Sequence, residues 1–179
     1  MQLDLGADME GAVCPPSGFI RQHWRRLLPH WPLPVLSVLI LVQRSPIPID
    51  DYTAAVEQNK QQLRDRSIHL LQPLIGQIHQ CQHQAVLFDP QTGFPYQSTD
   101  QGIPLNDVAV IYDLLGDCLG YDLKQCGECY CLVHPRWGSQ VYPAIVVCSA
   151  LPGILGAIAS PYFATHPNLR SSPSKTNVD

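Results

Sequence analysis

The chain lacks any apolar run long enough to cross a membrane. Its most apolar stretch, Leu33 to Val42, is ten residues, and the next, Ala144 to Ala159, is interrupted by Pro152, whereas a spanning helix needs about 20. An excess of positive charge is missing too. Eleven Lys and Arg stand against 15 Asp and Glu, net −4, so the chain as a whole has no footprint for nucleic acid or an anionic membrane surface. The opening residues, M-Q-L-D-L-G-A-D-M-E, are acidic where a secretory leader would be basic and then apolar. Seven cysteines cannot all pair, and with no leader the expectation is a cytoplasmic protein with free thiols. There is no internal repeat, no phosphate-cradling glycine loop, no Ser/His/Asp order and no paired-carboxylate signal. No catalytic constellation is recognised, and the chain is not expected to be an enzyme.

What remains is a chain of 179 residues with 17 prolines, long enough for one domain with its own core and expected to be rich in loops. Residues 1–13 show no periodicity and read as a flexible terminus. Phe19, Ile20, Trp24, Leu27, Leu28 and Trp31 recur at helical steps, predicting an amphipathic helix from Phe19 to Trp31 with Arg21, Arg25 and Arg26 on its wet side. Those arginines beside Trp24 would suit a phosphate, but in an acidic chain a solvated face is the simpler reading. Pro34 to Val42 reads as a buried central strand. A helix follows from Tyr52 to Gln80, capped by Asp50 or Asp51 and expected to kink or break near Pro73; its His69 and His79 read as surface or helix-end residues.

Ala85 to Phe88 is a second apolar strand, and D-P-Q-T-G from Asp89 to Gly93 has turn residues in the order that returns Phe94 to Tyr96 as a hairpin. Asn106 or Asp107 can cap a short helix through Val108 to Leu115, after which Cys118 to Lys124 reads as a connector. Val141 to Cys148 is a strong strand, 149–164 a short helix, and 165–179 a tail rich in Ser, Pro and Asn.

The chemistry is concentrated in Cys126 to Ser139, C-G-E-C-Y-C-L-V-H-P-R-W-G-S, which holds three of the seven cysteines. The run from Glu128 to His134 alternates as a strand, with Cys129, Cys131 and Val133 on one side and Tyr130, Leu132 and His134 on the other. P-R-W-G is short enough to pair this strand antiparallel with Val141 to Cys148. Four readings stay open. The stretch could be a zinc site of Cys126, Cys129, Cys131 and His134, a redox pair of Cys126 and Cys129, a reactive thiol raised in thiolate character by Arg136, or a set of inert cysteines. For His134 the simple reading is a residue that fixes the turn; for Trp137 and Gly138 it is packing and turn geometry; for Asp89 and Tyr96 it is turn chemistry.

Four stretches together resemble the CblD family, the methylmalonic aciduria and homocystinuria type D proteins of cobalamin handling. They are C-P-P ahead of a helix and L-P-V-L-S-V-L-I-L-V; the helix leading to L-F-D-P-Q-T-G-F-P-Y; the cysteine stretch running into H-P-R-W-G-S; and the strand after it. The resemblance covers about Cys14 to Ser160, within a domain bounded at 14–164. It implies a mostly antiparallel α+β fold of a modified nitroreductase type that carries no flavin. It also implies an adaptor that meets a CblC-like cobalamin-processing partner and presents a cysteine thiolate to the cobalt of the cobalamin that partner holds; from the charge balance and the apolar run lengths, no nucleic-acid or membrane partner is expected. Counting back from His134, the chain has Glu128 and Cys129 where animal members of the family have adjacent cysteines. That points to Cys129 as the cobalt ligand, with Cys126 the alternative; Cys126, His134, Arg136 and Trp137 would flank the cofactor. Outside this reading stand a flavin-dependent nitroreductase-like enzyme and a small zinc-binding module.

Overall fold

The protein, a computed structural model, is described over residues 1–49, 51–98, 102–105, 113, 119–126 and 129–165; of residues 4, 126, 129 and 130 the backbone alone is described. The fold is α+β. In chain order the strands are β1 (Gln2–Asp4), β2 (Met9–Cys14), β3 (Ser37–Arg44), β4 (Ala85–Phe88), β5 (Asp122–Cys126), β6 (Cys129–Val133) and β7 (Val141–Cys148). The helices are α1 (Gly18–Leu27), α2 (Ala54–Gln80) and α3 (Pro152–Ala164). Five strands form an antiparallel sheet in the order β1-β2-β3-β7-β4, and β5 and β6 form a separate two-stranded ladder.

Strand β3 lies at the centre of the sheet, as its apolar run predicts, and its alternation divides the core in two. Leu39 and Leu41 face a cluster built with Leu70, Leu71, Leu74 and Ile78 of α2 and Leu155, Ala159 and Phe163 of α3. Val38, Ile40 and Val42 face a second cluster with Ile20 and Leu27 of α1, Tyr121 and Trp137. Each fully buried Leu or Ile contributes about 1.5–3 kcal/mol relative to exposure. The Tyr162 hydroxyl donates to Leu70 O at 2.7 Å and ties α3 to α2.

Several expectations are corrected. Residues 1–13 are not a loose terminus: they supply β1 and β2, and Leu3, Leu5, Met9 and Val13 are buried in the first cluster. Their alternation is hidden by the break at Gly6 and Asp8 and by the scarcity of β-branched residues, but pairing along β3 outweighs weak intrinsic propensity. The cap of α2 is Thr53, whose hydroxyl accepts from Val56 N–H at 3.3 Å; Asp51 accepts from Tyr52 N–H instead, and Asp50 lies outside the described residues. The 27 residues of α2 pass Pro73 without a break. Helix α1 ends at Leu27, four residues before Trp31.

Strand β6 does not pair with β7, because β7 already has β3 on one edge and β4 on the other. It pairs with β5, whose first three residues, Asp122 to Lys124, lie in the expected connector. Pro143 is tolerated in β7 because β4 reaches only Ile145, so no ladder bond is missing on that edge. The short helix expected from 108 to 115 and the tail beyond 165 lie outside the described residues.

Candidate functional site

The ladder of β5 and β6 ends with Cys126 directly opposite Cys129, so the two cysteines close the paired region. Cys129 is the first residue of β6, and Cys131, two positions on, is half-buried. At the other end of β6 the chain enters H-P-R-W-G. His134 and Gly138 form an isolated bridge: His134 N–H donates to Gly138 O at 2.9 Å and Gly138 N–H returns to His134 O at 3.0 Å. Gly138 adopts φ +58, a left-handed conformation that costs a side-chain-bearing residue about 1–2 kcal/mol.

His134 is the inner post of this turn and is 2% exposed. Its Nδ1 accepts from the backbone N–H groups of Arg136 at 3.0 Å and Trp137 at 3.2 Å. That network assigns the ring proton to Nε2, which donates to Glu10 Oε2 at 2.5 Å. Both nitrogens are therefore engaged. A zinc site drawing its fourth ligand from His134 would have to give up the turn, and His134 here positions other residues rather than presenting itself to a ligand. The reading of His134 as a turn-fixing residue is borne out, with two N–H donors and a carboxylate as its partners in place of a carbonyl.

Aromatic packing completes the post. The His134 and Trp137 rings stack at 4.0 Å, 10° from parallel, and the Tyr121 ring meets His134 edge-on at 4.9 Å. Trp137 is 9% exposed, so it is packing, as its sequence context suggested. The Arg136 guanidinium lies over Trp137 at 5.2 Å, with Nη2 3.7 Å from Glu10 Oε2, and its side chain is 65% exposed. It is the outward-facing cation of the site. Burial, then the nearby charge of Glu10, pushes the Tyr121 phenol well above its ordinary range. Glu10 was missed by sequence reasoning, since it sits in the segment read as a loose terminus.

The D-P-Q-T-G turn is a second, separate construction. Gly93 has φ +73, and Phe88 bridges to Pro95, which realises the expected return as a single bridge rather than a strand. Asp89 is buried and grips Arg64 of α2 bidentately, Nε to Oδ1 and Nη2 to Oδ2, each 2.7 Å. Burial would raise the Asp89 carboxyl, but Arg64 and the Gln91 N–H outweigh it and hold it below the usual range. Tyr96 lies under Arg64, 5.8 Å from ring centre to guanidinium. This turn rims a cleft of about 460 Å³ whose cations, Lys60 and Arg64, are already paired with Glu57 and Asp89.

Among the described residues, no three His, Cys, Asp or Glu side chains converge as a metal site, and no helix is long and apolar enough to cross a membrane. The fold and site together define an antiparallel α+β sheet protein with a cysteine-closed hairpin carried beside a histidine-pinned turn. The family model of the methylmalonic aciduria and homocystinuria type D protein matches residues 2–155, and the chain belongs to that family. No curated protein matches it. Membership implies a role in cobalamin metabolism, and the match includes β1 and β2, which the sequence-level resemblance left out.

Proposed function

We propose that the protein is a non-catalytic cytoplasmic adaptor in cobalamin handling, which presents the Cys129 thiolate to the cobalt of a cobalamin held by a CblC-like partner. The observation that carries this reading is the position of Cys129 within the family match: first residue of β6, opposite Cys126, at the end of a ladder outside the main sheet. A thiolate is a soft, strong donor suited to such a metal. Bound there, Cys129 would supply a sulfur donor to cobalt in exchange for a coordinated water, its thiol proton passing to solvent and no oxidation state changing. Arg136 lies three residues beyond the far end of β6, where its exposed side chain is available to a partner. The fold would then be a modified nitroreductase type without flavin.

Mixing the purified protein with aquocobalamin and the CblC-like partner is expected to change the corrin absorption spectrum. The change should vanish in Cys129→Ser and persist in Cys126→Ser and Cys131→Ser. No spectral change with every thiol intact overturns the reading. A yellow preparation that releases flavin on heating would favour the reductase instead.

A further inference from the structure

The charge of this chain is unevenly placed. Residues 11–49 hold four of its 11 basic residues, Arg21, Arg25, Arg26 and Arg44, and none of its 15 acidic ones, which leaves seven basic against 15 acidic elsewhere. Three of the four lie on α1, all exposed, and among the described residues no acidic side chain pairs with any of the three. The Arg25 guanidinium lies over the half-buried Trp24 ring at 5.1 Å, and Leu33 beyond the helix is 47% exposed. Unpaired arginine stacked on tryptophan is the composition of an interface centre rather than of an ordinary solvated face.

Placement adds a second argument. Ile20 and Leu27 of α1, Trp137 of the turn, and Leu132 of β6 all pack on the same cluster, so α1 and the cysteine ladder cover one face of the sheet, while α2 and α3 cover the other. We propose that the arginine face of α1 is the docking surface for an acidic protein surface, and that it brings this partner to the side of the molecule carrying the cysteines. The remainder of the chain, eight negative charges in excess, repels such a partner, so approach is steered to α1. This deepens the adaptor reading and rests on it for the identity of the partner.

The test measures association of the full-length protein with the CblC-like partner, and the corrin spectrum at saturating partner. Arg21→Glu/Arg25→Glu/Arg26→Glu is expected to slow association about 10- to 100-fold, with wild-type association falling steeply between low and high salt. The Lys triple variant should stay within about threefold of wild type, and the spectral change should survive in both at saturation because Cys129 is intact. If the Glu variant does not fold, the Gln triple variant takes its place, with an expected slowing of about 5- to 10-fold. Wild-type association rates in a folded charge-reversed variant overturn the docking surface and leave the adaptor reading standing. The same holds if the arginines instead control binding to phosphatidylserine vesicles, or self-association, while partner association is unchanged. A wild-type protein that does not associate at all overturns both.

Discussion

The two faces of the central sheet are built from different materials. Under α2 and α3 the contacts are mostly aliphatic, with Leu70, Leu71, Leu74 and Ile78 set against Leu39, Leu41 and Val146, and Tyr162 and Phe163 of α3 are the buried aromatic members. Under α1 and the H-P-R-W-G turn, aliphatic residues share the space with Tyr121, Trp137 and the buried His134, whose partner Glu10 reaches over from β2. Aliphatic packing is non-directional and tolerates shifts, whereas the His134 network fixes one geometry for the loop between β6 and β7. The first face supplies stability to the whole domain, and the second uses part of it to hold a turn and a cysteine ladder in place.

That contrast can be broken most forcefully from the aliphatic side. Leu74→Ala removes a fully buried side chain and should destabilise the protein by about 2–5 kcal/mol in chemical denaturation. Where the variant is still folded, the corrin response of Cys129 should be unaltered; a lost response in folded protein would mean that the two faces are coupled.

Asp89→Asn should cost about 1.5–3 kcal/mol at neutral pH, because it removes the charge from a bidentate pair with Arg64. The Asp89 carboxyl is depressed in the folded protein, so its contribution is fully present above the unfolded value of about 4 and is lost as pH falls through the lower folded value. The stability gap between wild type and Asp89→Asn should therefore close below about pH 4. A gap that is constant with pH would contradict the assignment.

His134→Ala leaves two backbone donors and Glu10 without their partner, for a loss of about 1–3 kcal/mol. Its more telling effect should be local. Hydrogen exchange at the amides of Arg136 and Trp137 should accelerate well beyond what the global loss of stability explains, with the amides of α2 unaffected apart from that loss.

Much of this architecture is legible in the sequence, and the parts that are not have physical reasons. The strands β3, β4 and β7 are short apolar runs, and α1 and α3 carry enough pattern or composition to place them within a few residues. The edge strands β1 and β2 are weak in propensity and take their structure from pairing with β3. Strand β5 does alternate, with Leu123 between polar neighbours, but its partner could not be read without knowing that both edges of β7 are filled. The H-P-R-W-G turn was legible as a turn. Its anchor was not, because Glu10 lies 124 residues from His134 and local spacing carries no signal across that distance.

The role assigned to Cys129 is tested most directly by site-resolved alkylation with iodoacetamide, followed by mass spectrometry, with and without the cobalamin-loaded CblC-like partner. Exposed Cys81 serves as an internal reference, and Cys148, whose thiol is buried and pushed up, as the slow limit. The account predicts that Cys129 is alkylated readily in the free protein and is protected when the loaded partner is added, with Cys81 unchanged. Equal alkylation of Cys129 in both conditions, or protection of Cys126 in its place, would contradict it.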